Sequence, residues 1–222
     1  MNFVRENSAD FLLKNRIWID ICTMSDYIIE NELKEKGYKL IAGVDEAGRG
    51  PLAGPVFAAA VILPDGLVDI GLNDSKKLSE KKREQLFDVI TQNAIAYSIV
   101  SVDEKVIDEI NILEATMQAM REAINNLEIT PDFCIVDGNR LPKSNVLEQY
   151  VIKGDSLSVS IAAASILAKV SRDRYLKELD EKYPEYQFAK HKGYGTKLHY
   201  EMIEKYGISP VHRRSFLKKL LK

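Results

Sequence analysis

The sequence contains few of the residues that build disulfide or zinc scaffolds. Two cysteines, Cys22 and Cys134, and three histidines occur among 222 residues. The cysteines have no metal-ligand spacing, and the histidines (His191, His199 and His212) are too scattered to predict a zinc site. We therefore expect two reduced thiols. We also expect that one or two of the histidines lie on the surface or face a phosphate.

Long apolar runs are also missing. No run approaches the roughly 20 residues that a membrane-spanning helix needs. The N-terminal segment lacks the basic start and the uninterrupted apolar middle of a signal peptide. We therefore expect a cytoplasmic protein that makes no membrane contact, and a monomer, because no apolar stripe is left over for an interface.

The chain as a whole has almost no net charge, but its C-terminal end is strongly basic. The net charge is −2, yet residues 186–222 contain nine lysines or arginines and two acids, a net charge of +7. Such asymmetry is typical of a segment that meets a polyanionic partner. A solvated helical tail rich in lysine would give the same composition, so charge alone leaves both interpretations open.

Apolar runs and amphipathic segments alternate along the rest of the chain, which predicts an α/β fold with a mixed, partly antiparallel five-stranded sheet flanked by helices. Residues 1–37 are predicted to be a helical extension, and residues 38–222 one domain that ends in a helical segment at about 186–222. The predicted strands are 39–45, 56–63, 94–102, 132–138 and 145–155. The predicted helices are 78–93, 103–127 and 156–183, with two short helices around HKGYGT and GISPVHRRS. The first three strands are candidates for an antiparallel meander. Helix 156–183 is rich in alanine and serine, and these small residues would let its backbone lie close to the sheet. Helix 103–127 has one apolar stripe, formed by Ile107, Ile110, Leu113, Met117, Met120 and Ile124.

Acidic residues follow three of the predicted strands: Asp45 with Glu46, Asp137, and Asp155. Groups beyond strand ends converge on one crevice in an open α/β sheet. Four carboxylates there would repel one another unless a divalent cation neutralised them, and oxygen ligands suit Mg²⁺ or Mn²⁺. That combination is typical of two-metal phosphoryl transfer. Alone, each acid could be a turn residue, and Asp155 could cap the helix that follows.

The loop after the first strand, DEAGRG, adds groups that could bind a polar ligand. Gly48 and Gly50 remove side chains, so that backbone N–H groups can approach a ligand closely. Arg49 can contact a phosphate or form a surface ion pair. The loop could also be an ordinary glycine-rich phosphate turn, although it lacks the ending of a nucleotide-binding P-loop.

Further candidate ligands of a polyanion lie outside that loop. Tyr194 stands between two glycines in a basic segment, a poor place for core packing, so we expect an exposed ring. Lys76 and Lys77 can contact phosphates or line a solvated turn. The segments KHK (190–192) and HRR (212–214) would extend the same path, and contacts of this kind position a duplex without reading its sequence.

Taken in order, these motifs resemble those of bacterial ribonuclease HII. The matching segments are GVDEAGRGPLAGPV, LNDSKKLS, IDEINILEATMQAM, IVDGN, KGDS, SIAAASILAKVSRD, HKGYGT and HRRSF. The likeness runs from about Leu40 to Phe216 and leaves residues 1–37 outside. It implies a ribonuclease H-like fold and an endoribonuclease that cleaves the RNA strand of RNA–DNA hybrids. It also implies nicking 5′ of single ribonucleotides in duplex DNA, with 3′-hydroxyl and 5′-phosphate ends.

The resemblance also implies roles for individual residues. It implies that Asp45, Glu46, Asp137 and Asp155 are the catalytic metal ligands, for Mg²⁺ or Mn²⁺, with two ions when substrate is bound. It implies that Gly48, Arg49 and Gly50 contact the ribose 2′-hydroxyl and the phosphates at the RNA–DNA junction, and that Tyr194 packs on the neighbouring sugar. Asp173, by contrast, is expected to form an ion pair.

Two other functions remain as alternatives. A catalytically silent module that binds hybrid duplexes would be expected to lack at least one of the four acids, and all four are present. A small-molecule phosphatase or ATPase on a related sheet would need neither the basic C-terminal segment nor the junction-type loop.

Overall fold

The computed structural model describes residues 28–65, 78–218 and 220, so the predictions for Cys22, Lys76 and Lys77 lie outside the described residues. Within those ranges, none of the helices combines the length and the apolar composition that crossing a membrane requires. Cys134 lies buried in the fourth strand, and burial raises the pKa of its thiol to about 12. This agrees with a reduced core thiol.

A five-stranded sheet forms the centre of the molecule. Its strands are β1 (Ile41–Ala47), β2 (Val56–Ile62), β3 (Ala96–Val102), β4 (Phe133–Asp137) and β5 (Glu148–Val151). The spatial order is β3-β2-β1-β4-β5, with β1, β2 and β3 antiparallel and with β4 parallel to both β1 and β5. The predicted mixed sheet and the antiparallel meander of its first three strands are confirmed.

Helices cover both faces of the sheet. They are α1 (Ile28–Glu35), α2 (Glu80–Asn93), α3 (Glu104–Asn125), α4 (Val159–Lys182), α5 (Phe188–His191) and α6 (Lys197–Tyr206). Alternate residues of β2 point to opposite faces: Ala58 and Ala60 pack in the core with α3, whereas Ala59 and Val61 pack in the core with α2 and α4. Every residue of β2 is therefore buried, which explains its unbroken apolar sequence.

The alanine- and serine-rich composition of α4 lets this helix lie directly on β1. A Cβ atom at Gly43 would stand 2.1 Å from the carbonyl carbon of Ser160, so only glycine fits at that point of the strand. The close approach fixes α4 against the sheet near the end of β1, where Asp45 lies. The expectation that small residues allow close packing is confirmed.

Helix α3 departs from the predicted single stripe because it bends at Asn111, whose φ is 70°. The Asn111 side chain accepts hydrogen bonds from the N–H groups of Leu113 (2.9 Å) and Glu114 (3.2 Å), and so caps the second segment. The bend rotates the buried face, leaving Ile110 exposed. After it, the deepest positions are Ala115, Thr116, Ala119, Met120, Ala123 and Ile124.

Helix α1, the described part of the N-terminal extension, packs on the domain. Leu33 lies in a cluster with β1, β4 and α4. The buried Glu30 carboxylate accepts from the Ser158 hydroxyl (2.6 Å) and the Ser160 N–H (3.0 Å). Glu30 therefore places a negative group at the N-terminus of α4, where the helix dipole stabilises it.

The C-terminal segment is built differently from the two short helices expected around HKGYGT and GISPVHRRS. HKGYGT begins in α5 and then turns into α6, while GISPVHRRS is loop and turn that leads into a short 3-10 turn, Arg214–Phe216. It is fastened to the loop after β1 by three backbone bonds of 2.8 Å: Leu52 N–H to Gly193, Gly54 N–H to Val211, and Arg213 N–H to Leu52.

A candidate carboxylate site beside the loop after β1

Asp45 and Asp137 come together because β1 and β4 are parallel neighbours. Val44 pairs with Val136, so the acid that follows each of them lies at the same edge of the sheet. Asp45 is 5% exposed and its Oδ1 accepts from the Glu46 N–H (2.7 Å). The sheet thus holds two carboxylates side by side, with Glu46 next to them.

Asp155 reaches this edge by a different route from the one predicted. It is not a strand-end residue, because β5 ends at Val151 and Asp155 lies in a 3-10 turn, Gly154–Ser156. It does not cap α4 either, since Ser158 is the N-cap and its side chain accepts from the Ile161 N–H at 3.1 Å. The Gly154 N–H donates to Asp137 Oδ1 (2.6 Å), which ties the turn to the carboxylate edge.

The electrostatics of the edge favour a bound cation. Burial raises the pKa of Asp45 well above its usual range, and the negative charges of Glu46 and Asp137 raise it further. The Ser165 hydroxyl and the Glu46 N–H lower that pKa, but these two donors do not offset the burial and the like charges. A divalent cation at this edge would neutralise the repulsion.

The carboxylates fit Mg²⁺ or Mn²⁺ by donor type, although they do not form a closed cage. Over the described ranges, no group of three or more acidic, histidine or cysteine side chains is arranged to hold a metal ion. Oxygens of Asp45, Glu46 and Asp137 already accept hydrogen bonds from the protein. Mg²⁺ commonly takes only one or two protein carboxylates and completes its shell with water and phosphate oxygens, so a closed cage is not required.

The loop after β1 depends on glycine at position 48. The Gly48 φ is 100°, and a Cβ atom there would lie 2.2 Å from Nε of Arg172. Arg172 is fully buried in α4 and donates to the carbonyls of Lys192 (3.1 Å) and Ala53 (3.4 Å). It therefore joins the loop after β1 to the HKGYGT turn.

Arg213 also binds the loop after β1. It does not face a phosphate, contrary to the sequence prediction for HRR. Its side chain is fully buried and donates to four carbonyls at 2.7–3.0 Å, those of Gly48, Arg49, Pro51 and Gly54. In a trans peptide the C=O and the following N–H point in opposite directions. The N–H groups of Arg49 and Gly50 are thus turned away from Arg213, on an exposed stretch of chain.

Arg49 and Tyr194 flank this stretch. The Arg49 guanidinium pairs with Glu46 at 3.3 Å and keeps 52% of its side-chain area exposed. Tyr194 is 44% exposed, and its ring lies 3.7 Å from where a Cβ of Gly50 would stand. The Arg172 guanidinium lies 5.8 Å from the centre of the same ring. The predicted exposure of Tyr194 is confirmed, and the fold brings it beside the glycine loop.

Asp173 forms the expected ion pair. Its carboxylate contacts Lys169 at 2.6 Å and Arg83 at 3.9 Å. The sequence did not reveal the roles of Arg172 and Arg213, because arginine side chains are usually exposed. The one signal was helical spacing, because Arg172 lies four residues from both Ala168 and Leu176, on the apolar stripe of α4.

The prediction that one or two histidines lie on the surface or face phosphate is wrong. His191, His199 and His212 are all buried, and they lie together although 21 residues separate the first from the last. The rings of His191 and His199 stack with centroids 4.1 Å apart, and Nε2 of His199 lies 3.0 Å from Nε2 of His212. They come into contact through the turn between α5 and α6 and the loop that follows α6.

These histidines should make folding stability depend on pH. Burial lowers the pKa of His199 and of His212 from 6.5 to about 4, with smaller contributions from the neighbouring imidazoles. Unfolded histidines take up protons below pH 6.5, whereas the folded ones resist until about pH 4. Stability is therefore complete above pH 6.5 and falls toward pH 4, by roughly 2 kcal/mol for each histidine at pH 5.

The measurement is the melting temperature in chelator at pH 7 and pH 5, for the wild type and for His199→Leu. We expect a smaller fall in the variant. The comparison is needed because Asp45, whose pKa is raised, acts in the opposite direction as pH falls. Tyr186→Phe, which removes the hydroxyl bond to Gly207 (2.9 Å), is the control and should lower both temperatures equally. Equal pH dependence in His199→Leu and wild type would contradict this assignment.

Comparison with known proteins gives consistent matches. The family model described as Ribonuclease HII matches residues 42–219. The ribonuclease HII of Acetivibrio thermocellus is 60% identical over 194 residues, 87% of this chain and 76% of that protein. That of Caldicellulosiruptor bescii is 58% identical over 193 residues, 87% of this chain and 94% of that protein. A solved ribonuclease H2 from Pyrococcus horikoshii OT3 is 32% identical, with a TM-score of 0.68 over 80% of this chain and 93% of that one.

Proposed function

Because this chain belongs to the ribonuclease HII family, endoribonucleases that act on RNA–DNA hybrids, we propose that it also nicks duplex DNA 5′ of a single embedded ribonucleotide. The observation that carries the proposal is the loop after β1, residues 48–54, which we call the substrate loop. Its two outward N–H groups, at Arg49 and Gly50, lie between the carboxylate edge and the exposed ring of Tyr194. Exposed backbone donors of this kind suit a 2′-hydroxyl, the group that distinguishes RNA from DNA.

The recognition step uses Gly48, Arg49, Gly50 and Tyr194. We assign the loop N–H groups to the ribose 2′-hydroxyl and the adjoining phosphate, and the Arg49 guanidinium to a phosphate. The Tyr194 ring would pack on the sugar next to the RNA–DNA junction. The absence of a side chain at Gly50 supports this, because it leaves the exposed backbone open to close approach, whereas the missing side chain at Gly48 makes room for Arg172.

The chemical step belongs to the carboxylate edge. We assign Asp45, Glu46, Asp137 and Asp155 as the residues that hold Mg²⁺ or Mn²⁺, two ions when substrate is bound. When bound, these ions would lower the pKa of a water molecule and stabilise negative charge on the phosphate. Water attacks the phosphorus, the bond from phosphorus to O3′ breaks, and O3′ takes up a proton. The products carry a 3′-hydroxyl and a 5′-phosphate.

The basic C-terminal segment would hold the duplex. We assign residues 186–222 as the substrate-binding part of a catalytic domain that spans 38–222, with 1–37 as an extension. Exposed cations of the segment include Lys190, Lys197, Lys205, Arg214 and Lys218. Phosphate contacts from them would add affinity that weakens as salt rises, without reading sequence. Lys76 and Lys77 would serve the same purpose. We propose that one monomer carries all of these parts.

The test is cleavage of a labelled DNA duplex with one ribonucleotide, in Mg²⁺ or Mn²⁺, resolved on a denaturing gel. We expect a single nick on the 5′ side of the ribonucleotide, and no cut in the matched all-DNA duplex. An RNA–DNA hybrid serves as the positive control. Cleavage of the hybrid with the ribonucleotide-bearing duplex left intact would reject the junction proposal and leave the family membership untouched.

A further inference from the structure

A buried chain of hydrogen bonds ends on the main chain of Tyr194. It starts at Ser209, whose N–H lies 2.9 Å and whose hydroxyl oxygen lies 2.7 Å from Nδ1 of His212. Nε2 of His212 lies 3.0 Å from Nε2 of His199, and Nδ1 of His199 lies 3.0 Å from the carbonyl oxygen of Tyr194. His199 and His212 are 0% and 2% exposed, so water does not compete for these bonds.

The partners at the two ends fix the position of every proton. A backbone N–H can only donate, so Nδ1 of His212 accepts, and the proton of neutral His212 is on Nε2. That proton points at Nε2 of His199, which therefore accepts. The proton of His199 is then on Nδ1, where it donates to the Tyr194 carbonyl. Burial disfavours the charged form of both rings, which agrees with two neutral imidazoles.

The bond from His199 adds to three backbone hydrogen bonds that hold Tyr194 and Gly193. The carbonyl oxygen of Tyr194 also accepts from the Thr196 N–H (2.8 Å), and its N–H donates to His191 (2.9 Å). On the other side, the carbonyl of Gly193 accepts from Leu52 of the substrate loop (2.8 Å). The ring itself is exposed, so the fixed peptide bond sets where it stands relative to Gly50.

We propose that His199 and His212 are positioning residues that hold the Tyr194 ring in place for the sugar beside the RNA–DNA junction. The inference rests on the function proposed above for Tyr194 and adds the device that orients it. Neither histidine touches the substrate. Their effect passes through the carbonyl of Tyr194. Loss of the hydrogen bond from His199 to that carbonyl should therefore weaken recognition of the ribonucleotide only while the Tyr194 ring is present.

The test is equilibrium binding in chelator, by fluorescence anisotropy, to a duplex with one ribonucleotide and to the all-DNA duplex. The quantity is the ratio of the two affinities. We expect His199→Leu to lower the ratio about tenfold, the usual scale for a lost buried hydrogen bond. His199→Asn keeps an amide N–H near the Nδ1 position and should recover most of the loss. In cleavage assays, His199→Leu should raise KM and leave kcat nearly unchanged.

A double-mutant cycle separates positioning from general damage. Tyr194→Ala should lower the ratio, Tyr194→Phe should retain most of it, and adding His199→Leu to Tyr194→Ala should cause no further loss. Tyr186→Phe, in the same cluster, should lower the melting temperature without changing the ratio. Should His199→Leu not fold, His212→Phe removes the donor that fixes the His199 tautomer, and it should lower the ratio by a smaller amount.

Each outcome decides one of the two claims. A ratio unchanged in Tyr194→Ala rejects the role proposed for the ring, and the positioning inference falls with it. A ratio lowered in Tyr194→Ala but unchanged in folded His199→Leu or His212→Phe overturns the positioning inference alone. Losses that add in the double variant also overturn it, because the histidine would then act independently of the ring.

Discussion

Asp45→Asn is expected to reduce cleavage by at least about a thousandfold while duplex affinity stays within about threefold of wild type. Asp45 is the acid at the centre of the carboxylate edge, buried and next to both Glu46 and Asp137. The substitution removes one negative charge without changing the side-chain shape. The basic surface that we assign to duplex binding is untouched, so chemistry should be lost and binding kept.

The same substitution should make the metal-free protein more stable. A buried carboxylate near two like charges destabilises the folded protein, and the neutral amide removes that repulsion. The melting temperature in chelator should therefore rise as activity disappears. Asp173→Asn is the matched control, because Asp173 is a buried acid paired with Lys169 and Arg83. It should lower the melting temperature and retain cleavage. Near-normal turnover of Asp45→Asn at saturating Mg²⁺ would reject the assignment of the four carboxylates as metal ligands.

Arg213→Met is expected to destabilise the protein by roughly 3–5 kcal/mol, the usual cost of breaking a buried charged network. Four carbonyls of the substrate loop would lose their donor in a place that water does not reach. The loop would no longer be held with its N–H groups outward. Binding to a ribonucleotide-bearing duplex should therefore lose its preference over all-DNA at temperatures where the variant is still folded.

The neighbouring Arg214 is the control for charge. Its side chain is exposed, so Arg214→Met should change the melting temperature little and should weaken binding to both duplexes alike. Arg213→Lys keeps the charge of Arg213, but one ammonium does not reproduce a planar fork that meets four carbonyls. Chemical denaturation and the affinity ratio measure the two effects. Arg213→Met with wild-type stability and wild-type preference would contradict the buried role of Arg213.

The sequence by itself determined the sheet, its acids and the loop that follows β1. The apolar runs at 39–45 and 56–63 predicted β1 and β2 within about two residues. The contiguous motif from Asp45 to Gly50 needs no distant partner to be recognised. These signals are local, so they can be recognised before the tertiary structure is known.

The tertiary structure alone decided how the polar residues are used. Nothing near Asn111 in the sequence forecasts the bend of α3, because the apolar repeat continues through it. Asp155 follows an apolar segment like a strand-end acid, yet it lies in a 3-10 turn beyond β5.

Arg213 and the histidines read as surface charge because those side chains are usually exposed. Here Arg213, His199 and His212 are buried, and each has a hydrogen-bond partner that lies 13 or more residues away in the chain. The carbonyls that receive Arg213 lie about 160 residues earlier in the chain, and His199 meets His212 only after the chain has turned back on itself. A buried polar side chain is stable only where its hydrogen bonds are made. Those partners exist only once the sheet, the loop after β1 and the C-terminal segment have packed together.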